Sequence, residues 1–201
     1  MKITQFLNQL AADTPTPGGG SASAFAGALS ASLVAMVAGL SLKKGKLSKR
    51  EVGQIKKKAQ RIQKRLYAAI EQDAKSYDAV MEVFRLPKNT ERERLHRTKM
   101  IQKAFQKATV VPELVAEQSA SLLELCNILV SQGNPSAWSD VGVGAYLANA
   151  ALDGGLLNIR INLRSIRDKI FQKKKLELVR RLSRKRDLLI EKISKSLQQF
   201  E

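Results

Sequence analysis

The chain has 201 residues, with 35 Lys and Arg against 18 Asp and Glu, and a formal net charge of +17 at pH 7. A single cysteine, Cys126, and a single histidine, His96, exclude an internal disulfide and the common Cys- and His-based metal centres, so the sequence predicts no metal site. Aromatic residues make up only 5% of the chain, which argues against a nucleic-acid surface built on stacked bases. The length predicts a single domain spanning residues 1–201.

The positive charge is concentrated in two blocks. Residues 43–70 carry a net charge of +10 and residues 160–201 carry +9, whereas residues 112–159 hold five carboxylates and no Lys or Arg. This pattern indicates a basic exterior around a nearly neutral centre, and it favours electrostatic steering of a small anion. The same charge leaves open a second class, a basic helical protein that binds nucleic acid or an anionic membrane surface.

The first 42 residues contain a segment that predicts a buried central helix. Residues 1–12 have apolar residues at helical spacing, unlike a secretory signal, and we expect a cytoplasmic protein. Residues 14–42 carry no charge, and 17 of the 25 residues in 18–42 are Gly, Ala or Ser. Such small side chains gain little from lipid but allow helices to approach closely. The sequence therefore predicts a helix buried in protein and no membrane span.

The rest of the chain has helical periodicity and lacks the sustained alternation typical of strands. Two capping boxes, Ser48-x-x-Glu51 and Thr90-x-x-Glu93, mark helix starts. An apolar run after the second box is interrupted near Pro112, another run covers 136–171, and a basic amphipathic run follows. We therefore predict an all-α fold, an antiparallel bundle of five to six helices with a buried small-residue helix.

The first candidate for chemistry is the loop at 14–21, with the sequence Thr-Pro-Thr-Pro-Gly-Gly-Gly-Ser. Three glycines allow backbone N–H groups to turn toward a ligand, and the N-terminus of the following helix favours an anion or a developing negative charge. The loop is not a Walker A motif, because no Gly-Lys-Ser/Thr follows. The alternative interpretation is a connection with Ser21 as the helix N-cap.

Carboxylates in two further segments are candidate acid/base groups. Asp73 and Tyr77 share one helix face, and Asp73 adjoins the apolar stripe, where an unpaired carboxylate is costly unless it is functional or hydrogen-bonded. Asp78 is rotated away from Asp73, and a solvated pair of aspartates is the alternative. Asp140, after the segment 133–139, is either a helix-capping residue or a general acid/base in a nearly apolar cleft.

A fourth segment, 157–163, places two amides among large aliphatic side chains. Asn158 and Asn162 lie one helical turn apart on one face. Amides in such a setting either join helices or bind the polar edge of a heterocycle. His96 lies among basic residues on a polar face, and Cys126 is most simply a core or interface thiol.

Taken together, these segments resemble the formiminotransferase-cyclodeaminase C-terminal family, which includes stand-alone cyclodeaminases and methenyltetrahydrofolate cyclohydrolases. The resemblance rests on Pro-Thr-Pro-Gly-Gly-Gly-Ser at 15–21, the segment from Asp73 to Lys88, Gly-Asn-Pro at 133–135 with Ser139-Asp140, and Leu-Asn-Ile-Arg-Ile-Asn-Leu at 157–163, in this order. It implies an all-helical protein, dimeric or larger, that acts on tetrahydrofolates.

The reaction implied by the resemblance belongs to folate one-carbon metabolism. A cyclodeaminase closes 5-formiminotetrahydrofolate to 5,10-methenyltetrahydrofolate with loss of ammonia, and a cyclohydrolase interconverts the methenyl form with 10-formyltetrahydrofolate. The sequence leaves the choice between them open. Either reaction needs a group that moves a proton and a group that stabilises a cationic carbon centre. The tetrahydrofolate derivative is expected as the substrate, without a metal.

The resemblance also assigns candidate residues. Asp140 is the first choice for the acid/base group, with Asp73 and Asp78 next. Asn158 and Asn162 are expected to hold the pterin edge, and the lysines of the 43–49 segment are expected to hold glutamate carboxylates, including those of polyglutamylated folate. The predicted substrate-binding residues are Pro17, Gly18, Gly19, Gly20, Ser21, Lys43, Tyr77, Ser139, Asn158 and Asn162.

The expected partners are a folate and a second copy of the chain, because a ridge of small residues and long helices favour a homodimer. No specific nucleic-acid partner is expected. Two alternatives remain beside the enzyme. A family member without turnover would bind folate tightly and convert neither substrate, and the basic helical binder would show salt-dependent binding to DNA, RNA or liposomes.

Overall fold

The structure, a computed structural model, describes residues 2–200. Those residues form seven α-helices: α1 (Ile3–Leu10), α2 (Gly19–Lys44), α3 (Lys49–Phe84), α4 (Glu91–Ala108), α5 (Val110–Gln132), α6 (Trp138–Leu163) and α7 (Lys169–Leu197). Short 3-10 turns cover Pro135–Ala137 and Gln198–Phe200, and residues 2–200 contain no strand. The prediction of an all-α bundle is confirmed, with six long helices and the short α1.

Helix boundaries follow the capping chemistry that the sequence predicts. Both capping boxes are present: the Ser48 and Thr90 side chains accept from the backbone N–H groups of Glu51 and Glu93, which satisfies donors that have no partner within the helix. α4 and α5 are separated by Thr109 alone, three residues before Pro112. The predicted interruption of that run is therefore confirmed.

The prediction of one continuous helical run over 136–171 is wrong. α6 ends at Leu163, and α7 begins at Lys169. Asp168 acts as the N-cap of α7 because its side chain accepts from the Phe171 backbone N–H at 2.9 Å. Ile166, in the connection, is buried at 2% exposure, so the chain bends to place this side chain in the core.

α2 is the central helix, packed against α3, α5 and α6. A Cβ added to Gly27 would lie 2.8 Å from Leu66 Cδ1 and 3.3 Å from Ala151 Cβ, so the neighbouring helices approach at a distance that only a small residue allows. By length and composition alone, α2 and the stretch Glu91–Gln132, which contains α4 and α5, are each long and apolar enough to cross a membrane. In the bundle, α2 buries a run of small side chains against its neighbours, as predicted.

Part of the positive charge has a structural role. Three of the five carboxylates in residues 112–159 pair with cations of α7: Glu113 with Lys175, Glu124 with Lys185, and Asp153 with Arg186. Glu124 also lies 3.8 Å from Lys58 on α3. The acidic centre and the basic C-terminal helix are therefore complementary surfaces that dock α7 on α5 and α6, in addition to any steering of anions.

α2 and α6 run antiparallel, and this direction determines where the segments singled out in the sequence meet. Ser30 Oγ, midway along α2, donates to the Gly144 carbonyl in the first third of α6 at 2.7 Å, whereas Ser23, near the start of α2, faces Gly154 in the C-terminal half of α6. The N-terminal end of α2 consequently lies beside the C-terminal half of α6, and the C-terminal end of α2 lies beside the start of α6. We call these the glycine end and the Asn134 end of the bundle.

Candidate functional site

A cavity of about 410 Å³ opens at the glycine end of the bundle. It lies where the Gly-rich start of α2, the C-terminal half of α3, the α4–α5 junction and the end of α6 converge. The lining residues are Pro15, Thr16, Gly18, Gly19, Gly20, Asp73, Ser76, Tyr77, Val80, Met81, Phe84, Phe105, Ala108, Pro112, Asn158, Ile161, Asn162, Arg164 and Ser165. Three of the four segments singled out in the sequence thus contribute to one cavity.

The Asp73 carboxylate is held against the first turn of α2. Ser21 Oγ lies 3.0 Å from both Asp73 Oδ2 and the Ile70 carbonyl, and its hydroxyl proton is shared between these two acceptors. A Cβ added to Gly20 would lie 2.5 Å from Asp73 Cγ, so only glycine leaves room for the carboxylate there. Gly18 is the N-cap of α2, and the alternative with Ser21 in that position is wrong.

Burial changes the acidity of this group. Partial withdrawal from water raises the pKa of Asp73 above the ordinary Asp value of 3.8, because desolvation disfavours the charged form. The Ser21 hydrogen bond opposes this effect and lowers the pKa, but it is the smaller influence. A cavity-lining carboxyl group with a raised pKa is a candidate for accepting and returning a proton.

Two amides from α6 face the cavity with their acceptors free. Asn158 Nδ2 donates to the Gly154 carbonyl at 2.8 Å, and Asn162 Nδ2 donates to the Ala108 carbonyl at 3.3 Å. Among residues 2–200, nothing donates to either Oδ1 atom. The amides therefore combine both roles considered for them: Asn162 joins α6 to α4, and the two Oδ1 atoms remain available to N–H donors of a ligand.

The remaining walls are largely apolar. The rings of Phe84 and Phe105 meet edge to face with their centroids 6.1 Å apart, beside Val80 and Met81. Arg164 is the cation among the lining residues, opposite in charge to Asp73. The cavity thus combines one carboxylate, one guanidinium, amide acceptors and an apolar wall that contains two aromatic rings.

Five predicted site residues lie away from the cavity. Asp78 is exposed on α3 and is not a lining residue. Ser139 and Asp140, in the first turn of α6, lie about 27 Å from Asn158 along the helix axis, and Lys43 lies about 35 Å from Gly20 along α2. Pro17 lines a neighbouring cavity of about 260 Å³ beside α1. A single chain therefore does not bring Asp140 together with Asp73.

The segment around Gly133-Asn134-Pro135 joins elements at the Asn134 end. The Asn134 side chain accepts from Ser136 N at 3.0 Å and lies 3.4 Å from the Leu40 carbonyl, to which it donates. The Asn134 backbone N–H donates to Ser41 Oγ at 2.9 Å. Ala137 is the N-cap of α6, so Asp140 is not the capping residue, although its charge lies in the first turn.

Sequence reasoning missed several lining residues. Ser76, Phe84, Phe105 and Pro112 reach the cavity only through the packing of α3, α4 and α5, which no local pattern specifies. Arg164 immediately follows the 157–163 segment. This proximity to the two candidate amides is the feature of the sequence that could have identified it.

Comparison with known proteins identifies the family of this chain. A family model described as formiminotransferase-cyclodeaminase matches residues 2–181. A methenyltetrahydrofolate cyclohydrolase of Methylorubrum extorquens is 36% identical over 87% of this chain and 85% of its own length. A formimidoyltransferase-cyclodeaminase of Gallus gallus is 31% identical over 88% of this chain, which spans about a third of that protein.

A solved structure has the same fold. The crystal structure of a formiminotetrahydrofolate cyclodeaminase from Thermotoga maritima superposes with a TM-score of 0.89 and 25% sequence identity, covering 99% of this chain and 96% of that one. Sequence and fold agree along nearly the whole chain, and the protein belongs to the formiminotransferase-cyclodeaminase family.

Proposed function

We propose that this protein is a methenyltetrahydrofolate cyclohydrolase, which interconverts 5,10-methenyltetrahydrofolate and 10-formyltetrahydrofolate. One observation carries the proposal: a partly buried carboxyl group, Asp73, with a raised pKa lies in a cavity that also presents amide acceptors and an apolar wall. The relative that is 36% identical over most of both chains is named for this activity.

The cavity has complementary groups for the parts of a folate. The pterin ring carries N–H donors, which the free Oδ1 atoms of Asn158 and Asn162 are positioned to accept. The flat p-aminobenzoyl group fits the apolar wall of Phe84, Phe105 and Met81. In this proposed orientation, the reacting N5 and N10 region of the substrate lies near Asp73.

In the hydrolytic direction, the Asp73 carboxylate stabilises the cationic methenyl group and accepts a proton from the attacking water. A C–O bond forms at the methenyl carbon, and the bond from that carbon to N5 then breaks. Asp73 returns its proton to N5, the second water proton leaves to solvent, and the formyl group remains on N10. The raised pKa of Asp73 suits both halves of this transfer, because the group must gain and lose a proton in each turnover.

The second candidate is cyclodeamination, which is favoured by the fold match to the Thermotoga maritima enzyme. In that reaction N10 attacks the formimino carbon, Asp73 accepts the N10 proton, and ammonia leaves after protonation. The same carboxylate serves both reactions, since each passes through a tetrahedral carbon between N5 and N10.

Turnover of the two substrates distinguishes the candidates. Purified protein is mixed with 5,10-methenyltetrahydrofolate in one assay and with 5-formiminotetrahydrofolate in another, and the absorbance of the methenyl form is followed, with ammonia measured in the second. Loss of the methenyl absorbance above the uncatalysed rate supports the cyclohydrolase, and ammonia release supports the cyclodeaminase. Folate binding without either conversion would contradict both.

We further propose that the working form is a homodimer joined through the outer face of α2 and α6. Exposed apolar side chains follow one another along both helices, with Leu29, Met36 and Leu40 on α2 and Val143, Tyr146, Leu157 and Ile161 on α6. α2 has no ionisable side chain before Lys43, so this face avoids the repulsion expected between two chains of charge +17.

A two-fold axis perpendicular to these helices would set the glycine end of one subunit against the Asn134 end of the other. Asp140 and Lys43 of the partner subunit would then approach the cavity that contains Asp73. Such an arrangement would explain why the candidate residues lie at opposite ends of the bundle in a single subunit, and it retains Asp140 as a proposed site residue.

Mixed dimers test this arrangement. An Asp73→Asn subunit and an Asp140→Asn subunit, each inactive alone, are refolded together. One intact site per mixed dimer restores activity if the two aspartates act across the interface. Activity that stays absent in the mixture, or an Asp140→Asn protein that is fully active alone, would contradict the shared site.

A further inference from the structure

A second cavity adjoins the candidate site. It has a volume of about 710 Å³ and lies in the groove between α3 and α4, which we call the α3–α4 groove. Ser76 and Ala108 line both this groove and the candidate cavity, so the two spaces share a wall made of small side chains. A ligand that extends beyond the candidate cavity therefore has a neighbouring site within reach.

The chemistry of this groove differs from that of the candidate cavity. Its floor is apolar, with Ala79, Val83, Met100 and Ala104 from the two helices and Val110 and Val111 from the start of α5. Its charged groups are Lys75, Lys103 and Lys107 against a single carboxylate, Glu82. The groove therefore has a net positive charge above an apolar floor.

Two of the three lysines have no ion-pair partner among the described residues. Among residues 2–200, no carboxylate lies within 4 Å of the ammonium group of Lys103 or Lys107, whereas Lys75 pairs with the exposed Glu71 at 2.7 Å. Lys103 and Lys107 are separated by one helical turn, about 6 Å along the α4 axis. They present two neighbouring cations on one rim of the groove.

The fold does not need these lysines for packing. α4 is the least buried of the long helices, and Ala108, at its C-terminal end, is the one buried residue of α4. Both lysine side chains lie on the exposed side of the helix. Their position on the groove therefore has no evident role in stabilising the bundle.

We infer that the α3–α4 groove binds the anionic glutamyl tail of the folate whose ring occupies the candidate cavity, an inference that rests on the proposed function. The carboxylates of a mono- or polyglutamyl tail match the paired cations, and the methylene groups match the apolar floor. Lys43, which the sequence assigns to the tail, lies about 35 Å from Gly20 along α2 of the same chain.

A second groove, with more cations and a volume of about 660 Å³, is a poorer match for this tail. It lies between α5 and α7 and contains Arg180, Arg181, Arg184, Lys185 and Lys192. None of its lining residues lines the candidate cavity, so a tail attached to a ring bound there would have no shared wall to follow. The α3–α4 groove has fewer cations but the better location.

The test compares the variant Lys103→Gln/Lys107→Gln with Lys88→Gln/Lys99→Gln, which removes the same charge from the same helical hairpin outside the groove. KM is measured for monoglutamyl and triglutamyl 5,10-methenyltetrahydrofolate. The groove variant is expected to raise KM for the triglutamyl substrate by roughly three- to tenfold with little change in kcat, since exposed ion pairs each contribute modestly. This increase in KM is expected to become smaller as the salt concentration rises, because salt screens the charges. Equal KM changes in both double variants, or none in either, would overturn the inference.

A binding measurement separates this inference from the activity. γ-Linked triglutamate, without a pteridine, is titrated into the wild-type protein and the two double variants by calorimetry at low salt. Binding that is lost in the groove variant and kept in the control supports the groove even if the protein converts no folate. Binding that is equally weakened in both variants indicates attraction to net charge alone and contradicts the assigned groove.

Discussion

Gly20 and Asp73 form the closest-fitting pair in the candidate site: the α-carbon of Gly20 faces the carboxylate so directly that an added Cβ would lie 2.5 Å from Asp73 Cγ. Ser21, the next residue, donates its hydroxyl to the same carboxylate at 3.0 Å. We therefore expect the Gly-rich loop to act mainly by positioning the proposed acid/base group on α3, rather than by presenting backbone N–H groups to a ligand. Single substitutions at Gly20 and Ser21 test this relationship.

A methyl group at position 20 is expected to displace the Asp73 carboxylate. We predict that Gly20→Ala lowers kcat/KM by at least tenfold, because a misplaced catalytic group loses much of its effect. The matched control is Gly53→Ala in α3, since a Cβ at Gly53 meets nothing within 4 Å and this residue does not line the cavity. The control should keep its activity, and its stability should stay the same or rise by up to about 1 kcal/mol, as alanine favours helix. Similar activity in the two variants would contradict the proposed contact.

The raised pKa of Asp73 has a consequence for stability. A carboxyl group whose folded-state pKa lies above its unfolded value stabilises the fold at low pH and loses that contribution as pH rises through the folded pKa. Asp73→Asn should therefore unfold at higher denaturant concentration than wild type at neutral pH, and the difference should disappear below pH 3.8, the ordinary Asp value. Denaturant midpoints measured across pH check this, and a less stable variant at neutral pH would show that Asp73 is not desolvated as described.

The Ser21 hydroxyl is expected to set the pH range of activity. Its hydrogen bond lowers the pKa of Asp73, so Ser21→Ala should raise that pKa further. If the Asp73 carboxylate is the base, the acid limb of the kcat/KM profile moves to higher pH in this variant. Ser121→Ala, which removes a hydroxyl bonded only within α5, is the control and should leave the profile unchanged. An unshifted acid limb in Ser21→Ala would exclude Asp73 as the group that titrates.

Local signals in the sequence specify the helices well. The capping boxes at Ser48 and Thr90 appear where predicted because N-caps are short-range hydrogen bonds within one segment. The end of α6 at Leu163 was not predictable in the same way. It depends on Gln102 of α4, which donates to the Ser165 carbonyl and accepts from Arg167 N. The apolar periodicity of 136–171 does not indicate this contact with another helix.

The site was predictable in its chemistry and only partly in its geometry. The segments with Gly20, Asp73 and Asn158 meet in one cavity, because α2 and α6 are antiparallel and α3 packs beside α2. The sequence alone does not show which of the carboxylates lies in the cavity, because that depends on the direction in which each helix runs. Asp140 and Asp73 look equivalent as sequence positions, but they lie near opposite ends of the bundle.

The central claim is that Asp73 moves the proton, and the most direct measurement compares kcat/KM for 5,10-methenyltetrahydrofolate in wild type, Asp73→Asn and Asp78→Asn. Asp78 is five residues away on the same helix, exposed and outside the cavity, so its substitution controls for the loss of a carboxylate from α3. We predict a fall of about 10²- to 10⁴-fold for Asp73→Asn, the usual contribution of a general acid/base group, and near-wild-type activity for Asp78→Asn. A folded Asp73→Asn protein with wild-type kcat/KM would contradict the account.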